Sequence, residues 1–284
     1  MAIVDITGKD VVFRRSTAVS IIENIKRLSI ERILTVTEVA ARQAWLFLPH
    51  LHPVNIEKVS LAISKNGNSV EISATCCTHY KTGVEMDALF AVCAASTEAV
   101  YENLDLLCSC DVRIREIKVS EKVKQKDGEI SLNDYLNVNI KDIEHHNISH
   151  GQSVRSSQSI SGICEGKIRL SSKSVELIKL KRLEKGDAIE IAKATALLAL
   201  KKAWLLIPGL PVPRIEKARV TMEVNEDSVL ARVEAYLAVG VGVELLFATL
   251  ICLICVWDIV KKYEKDSQGQ YPWTYIHDVI LTIK

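Results

Sequence analysis

The chain has 284 residues with 36 basic against 35 acidic side chains, a formal net charge of +1, and 48% hydrophobic residues. That balance excludes the broad cationic footprint of a nucleic-acid binder, so any anionic ligand must be met by a few local cations. Residues 1–30 carry Arg14, Arg15, Lys26 and Arg27 with no continuous apolar core. No signal peptide is therefore expected, and the eight cysteines are expected to be reduced thiols in a cytoplasmic protein.

Along the chain, a first helix is predicted near Ile30 to Phe47, ending at Pro49. Lys58 to Ile63 and Ser69 to Tyr80 alternate as paired strands around the turn Asn66-Gly67-Asn68. A helix follows Gly83, and Val112 to Val119 closes the set as a strand. The stretch Lys124 to Gly166, rich in Ser, Asn, Asp, Gln and Gly, has the composition of a long linker with a short alternation at Leu136 to Ile140. The same order then recurs: a helix from Gly186 to Ile207, strands Ile215 to Val224 and Ser228 to Val239, a helix after Gly242, and a strand Tyr275 to Ile283.

The recurrence is written in the residues. Ala44-Trp45-Leu46-Phe47-Leu48-Pro49, running into Ile56-Glu57-Lys58, matches Ala203-Trp204-Leu205-Leu206-Ile207-Pro208, running into Ile215-Glu216-Lys217, at one offset of 159 residues. A duplication divides the chain into residues 1–123, a polar linker 124–165, and residues 166–284. Each unit is expected to be α+β, an antiparallel sheet with helices packed on one face.

Three features have structural readings. Cys252 and Cys255 form a CxxC inside an apolar helix, where packing is the expectation, and Cys108 and Cys110 lack the second pair a zinc site requires. His145, His146 and His150 lie among Asn, Ser and Gly without a helical stripe, so no metal site is assigned to them. From Tyr236 to Trp257 only Glu244 is charged, about the ~20 residues that cross a bilayer. That run begins as a strand and breaks at Gly240 and Gly242, so too little helix should remain to span, and no membrane association is expected.

The copies differ where chemistry would sit. His52 is answered by Pro211, and Glu85 and Asp87 by a tract with one acid, Glu244. In the second copy Asp258 and Lys261 are one helical turn apart, so both project from one face.

The tract Thr82-Gly83-Val84-Glu85-Met86-Asp87-Ala88-Leu89 resembles the TGVEMEAL signature of the MoaC family, the cyclic pyranopterin monophosphate synthases of molybdenum cofactor biosynthesis. Val4-Asp5-Ile6-Thr7-Gly8-Lys9 with Arg14 looks like the family's opening, and Leu48-Pro49-His50-Leu51-His52-Pro53 like its LIPLCHP. Lys185-Gly186-Asp187 resembles its KGD, and Trp257-Asp258-Ile259-Val260-Lys261 its YDMCK. The likeness covers both copies apart from the linker. Departures include Tyr101-Glu102-Asn103-Leu104-Asp105 at the first copy's YDMCK position, roughly a dozen residues missing before the first helix, and no intact KSGGKSG tail, although Lys122 falls near its first lysine.

The resemblance implies two ferredoxin-like units packed as an intramolecular pseudo-dimer, with one composite active site. His52, Glu85 and Asp87 of the first copy would meet Lys185, Asp258 and Lys261 of the second, with Arg14, Met86, Lys122 and Glu244 contacting substrate. The implied reaction is conversion of 3′,8-cyclo-7,8-dihydroguanosine triphosphate to cyclic pyranopterin monophosphate with loss of pyrophosphate. No cofactor is implied beyond Mg²⁺ accompanying the triphosphate, and three fused chains would stand in for the family's hexamer. The altered LPHLHP and missing tail leave a second reading open, a non-catalytic paralogue serving as a binding or scaffolding subunit.

Overall fold

A computed structural model describes residues 6–104, 112–126, 136–139 (backbone only) and 159–284. Val4, Asp5, Cys108, Cys110 and the histidines at 145, 146 and 150 lie outside the described residues. The first half runs β1 (Val12–Glu23), α1 (Ile30–Gln43), β2 (Lys58–Asn66), β3 (Ser69–Tyr80), α2 (Glu85–Tyr101) and β4 (Val112–Gln125), followed by the short β5 (Leu136–Asn139). The second half runs β6 (Ile160–Arg169), α3 (Ser172–Lys179), α4 (Ala188–Lys202), β7 (Arg214–Val224), β8 (Ser228–Val239), α5 (Val243–Val260) and β9 (Tyr275–Ile283).

The strands form one sheet in the order β5-β2-β3-β1-β4-β9-β6-β8-β7. Leaving β5 aside, the order is a mirror about the β4–β9 seam, where the halves pair antiparallel from Val112↔Leu281 to Ile117↔Ile276. Helix α2 packs on β1, β3 and β4, α5 on β6, β8 and β9, and the two helices touch each other. Phe47, Phe90 and Phe247 meet there, with ring centroids 5.1 to 5.9 Å apart, so the halves share one core. The chain is α+β, as its patterning indicated.

The organisation departs from expectation in several places. Strands β1 and β6 were not anticipated, because their buried faces are largely polar or small, Arg14, Ser16, Ala18 and Ser20 in β1 and Gly162, Cys164 and Gly166 in β6, and so give no apolar period-2 signal. β6 begins inside the expected linker, and Leu136–Asn139 pairs in parallel with β2. The residues missing from the first copy correspond to α3 and the turn after it, since β1 leads directly to α1 while β6 leads to α3 and then α4.

The apolar helix after Gly242 is also longer than expected, 18 residues, long and apolar enough to cross a bilayer. Every one of its residues is nevertheless buried, because sheet, α4 and α2 cover it on all sides. An all-round apolar helix is what such a central position demands. Cys252 and Cys255 are free thiols in that core, and burial pushes Cys255 up to about 12.

Candidate active site

The second half's cationic set is built by a helix start and a helix end. Asp187 caps α4, its Oδ1 accepting from the backbone N–H of Ile189 and Glu190. Gly186, at φ 102°, supplies the left-handed turn that leads into this cap and places the preceding Lys185 against the end of α5. Lys185 Nζ donates to the Asp258 carbonyl oxygen at 2.8 Å and to its Oδ2 at 3.1 Å. Lys261, one turn beyond Asp258 at the end of α5, ion-pairs with Oδ1 at 2.9 Å.

One buried carboxylate thus carries two lysines, and they are not equivalent. Burial lowers the pKa of Lys185, with Asp258 opposing. For Lys261 burial is outweighed by Asp258 and Glu85, which raise it above the ordinary range. Lys185 is the readier of the two to release a proton.

The first half contributes the start of α2. Glu85 Oε1 accepts from Lys122 Nζ at 3.0 Å and from Tyr271 Oη at 2.9 Å, while Oε2 has no hydrogen-bond partner. Burial opposes its ionisation, but Lys261 and Lys122 hold it well below the usual carboxylate range. Asp87 is 1% exposed and its Oδ2 is unpartnered. There burial wins over the pull of Lys261 and pushes the carboxyl up to about 8. Two acids two residues apart are therefore held in opposite protonation states at neutral pH, one as an anion and one as an acid.

These groups surround a cavity of about 940 Å³ lined from both halves, with Arg14, His52, Glu85 and Lys122 on one side and Lys185, Asp258 and Lys261 on the other. Nine lysines and arginines line it against four carboxylates, so a chain of near-zero net charge concentrates its positive charge here. Arg14 donates to the carbonyl oxygens of Tyr80 and Lys81. His52 Nε2 and Thr82 Oγ1 are buried without partners. Burial first, then Lys9 and Lys261, lower the His52 pKa, so its imidazole is neutral at pH 7. Buried polar atoms left unpaired around a cavity mark where a ligand's own polar groups would complete the bonding.

The structure separates the expected residues into three groups. Lys185, Asp258, Lys261, His52, Glu85, Arg14 and Lys122 all line the cavity, whereas Asp87 sits buried beside it, near the charges of Lys261 and Glu85. Met86 is displaced from the expected substrate contact: one step along α2 turns it ~100° away from Glu85, and it is fully buried in the core. Glu244 is likewise not at the cavity; its carboxylate accepts from the backbone N–H of Val241 and closes the loop before α5. Lys26, the counterpart of Lys185 at the 159-residue offset, is exposed and lines nothing here.

Residues the sequence did not single out also line the cavity. His50 reaches it beside Lys185, and Lys265, four residues past Lys261, lies near Lys122 and Glu85. Burial lowers Lys265 to about 8, against the opposing charge of Glu85. The four-residue spacing from Lys261 was the available signal for Lys265, but α5 stops at Val260 and the following turns hide it. Among the described residues, no group of three His, Cys, Asp or Glu side chains is placed to hold a metal ion.

An ion-pair cluster occupies the duplicate position. Glu102 stands where the offset would place the mate of Lys261, and Pro211 where it places the mate of His52. Arg32 Nε pairs with Glu98 at 2.6 Å and Glu102 at 3.3 Å, while its NH2 donates to the carbonyl oxygen of Pro208 at 2.7 Å. Tyr101 Oη donates to the carbonyl oxygen of Gly209 at 2.9 Å. This cluster ties the first half to the second half's Pro208–Pro211 turn.

Comparison with known proteins finds the MoaC family model matched over residues 3–125 and again over 150–284. A probable cyclic pyranopterin monophosphate synthase of Sulfurisphaera tokodaii is 43% identical over 120 residues, covering 41% of this chain and 79% of that protein. Its namesake in Sulfolobus acidocaldarius is 42% identical over 125 residues, 43% of this chain and 87% of that one. The namesake in Pyrococcus abyssi is 40% identical over 125 residues, 43% and 78%. Each relative is thus matched over most of its own length by less than half of this chain. With the family model matched on both sides of the linker, the chain belongs to the MoaC family.

Proposed function

We propose that this protein is a lyase of molybdenum cofactor biosynthesis that converts 3′,8-cyclo-7,8-dihydroguanosine triphosphate to cyclic pyranopterin monophosphate and pyrophosphate. Its two family units, 1–123 and 166–284, are ferredoxin-like and act as a fused pair with one composite site per chain. The observation that carries the reading is the cationic cavity in which His52 and Glu85 of one half face Lys185, Asp258 and Lys261 of the other. The relatives' name, cyclic pyranopterin monophosphate synthase, supports the reaction class.

The reaction needs cations to hold a triphosphate and stabilise the departing pyrophosphate, together with groups that move protons as the purine ring opens and recloses. Lys261, held permanently charged, and Arg14 and Lys122 answer the first need. Lys185, with its lowered pKa, neutral His52 and protonated Asp87 answer the second, while ionised Glu85 orients the lysines around it. Glu98, Glu102 and Arg32 occupy the duplicate position, so the second interface would be structural. Mg²⁺ would enter with the substrate's phosphates, and three chains would assemble into the equivalent of a hexamer.

The test is conversion of the cyclised nucleotide by purified protein. His52→Ala and Lys185→Ala should each abolish it, and mixing the two variants should not restore it, because each chain's site needs both residues. Full activity in Lys185→Ala would sink the composite site.

A further inference from the structure

Glu85 Oε1 carries two donors while Oε2 carries none, and the second donor comes from an unanticipated place. Tyr271 lies in the segment between α5 and β9, 186 residues from Glu85, and is 5% exposed. Its ring stands edge-on to buried Trp257, centroids 5.7 Å apart at 81°. Lys122 Nζ is 5.2 Å from the ring centroid and Lys265 Nζ 6.0 Å from it. The phenol therefore touches, through its hydroxyl or its ring, Glu85 and two of the cavity lysines.

The geometry points to Tyr271 as a positioning residue of the composite site, one that aims the Glu85 carboxylate by occupying Oε1 and leaving Oε2 unpartnered beside Gly83 of the cavity wall. This inference rests on the functional reading above for its catalytic consequence, but not for the bond itself. A carboxylate on a side chain with three rotatable bonds otherwise samples several orientations, and two donors on one oxygen select one. Gly83 makes room for that orientation: a Cβ there would fall 2.1 Å from Glu85 Oε2. The hydroxyl keeps its proton across the working range, since burial and the adjacent Glu85 charge both raise the phenol's pKa. The second half thus contributes more than its lysine–aspartate–lysine set, because it also orients the acid of the first half.

The variant Tyr271→Phe keeps the ring, with its Trp257 and lysine contacts, and deletes only the bond to Glu85. Two measurements decide the matter. In resting protein labelled with [δ-¹³C]glutamate, with Glu85 assigned by Glu85→Gln, the Glu85 carboxyl resonance should shift in Tyr271→Phe while the other glutamates hold still. In turnover, kcat should fall at least tenfold with KM changed less than twofold, since an aimed group acts on the reacting complex more than on binding. A Glu85 resonance that does not move, or a wild-type kcat in Tyr271→Phe, overturns the proposal. If the wild-type protein fails to convert the cyclised nucleotide, the functional reading falls, and the resonance alone still decides whether Tyr271 sets the Glu85 carboxylate.

Discussion

Lys185, in the turn before α4, donates to the carboxylate of Asp258 at 3.1 Å, so a residue from one end of the second half's helical layer is locked to the last full turn of α5. Lys261 holds the other carboxylate oxygen at 2.9 Å. Asp258→Asn removes the charge that both ammonium groups share. Because the lysines border an open cavity, the expected cost is about 2–3 kcal/mol, below the full penalty for an unpaired buried charge. Conversion of the cyclised nucleotide should fall at least a hundredfold. Urea denaturation and steady-state assays read the two effects separately.

Asp87 predicts a pH-dependent stability. Its pKa is raised from 3.8 to about 8 in the folded chain, so between those values the native state holds a proton that the unfolded state has released. Stability from this group is therefore full below about pH 4 and lost as pH rises through about 8. Asp87→Asn cannot lose a proton, so its stability relative to wild type should climb across that interval. Denaturant midpoints at several pH values check it, and parallel curves for the two proteins contradict the assignment.

Gly83 is required by its neighbour and not by its own backbone. An added Cβ would approach Glu85 Oε2 to 2.1 Å and Cδ to 3.2 Å, while Lys122 and Tyr271 hold that carboxylate in place. Gly83→Ala should displace Glu85 and lower kcat by tenfold or more. Far-UV circular dichroism should stay close to wild type, because only a side chain has to move, while the melting transition should drop as Glu85 loses its bonds to Lys122 and Tyr271.

At the filled duplicate position the expectation is reversed. Arg32 is the cationic partner of fully buried Glu98 and also reaches the Pro208 carbonyl of the other half. Arg32→Ala leaves Glu98 buried without that partner, at a cost of about 3 kcal/mol. The activity of the folded fraction should remain within twofold of wild type. A large loss of kcat without loss of stability would show that this position is a second working site.

Much of this was legible in the chain. The helices after Gly83 and before Pro49 and Pro208, and the strands Ser69–Tyr80, Ser228–Val239 and Tyr275–Ile283, follow from local periodicity and turn residues. Strands β1 and β6 were not legible, because at the centre of the sheet their polar positions are covered or hydrogen-bonded by neighbours remote in sequence. Thr17 meets Thr75, and Arg14 meets the Tyr80 and Lys81 carbonyls. Met86 lies away from the cavity because helix rotation sends Glu85 to it and the next residue to the core, and Glu244 because its carboxylate closes on the Val241 N–H.

The sequence by itself determined that this protein is a duplicated α+β chain whose copies kept different polar residues, since repeats and residue identities are local facts. Only the tertiary structure decided that those residues line one cavity, that Tyr271 and Lys265 join them, and that Arg32 and Glu98 fill the duplicate position. Such meetings depend on the β4–β9 pairing and the α2–α5 contact, which bring together residues up to 186 positions apart. No local pattern encodes a separation of that length; packing of the shared core does.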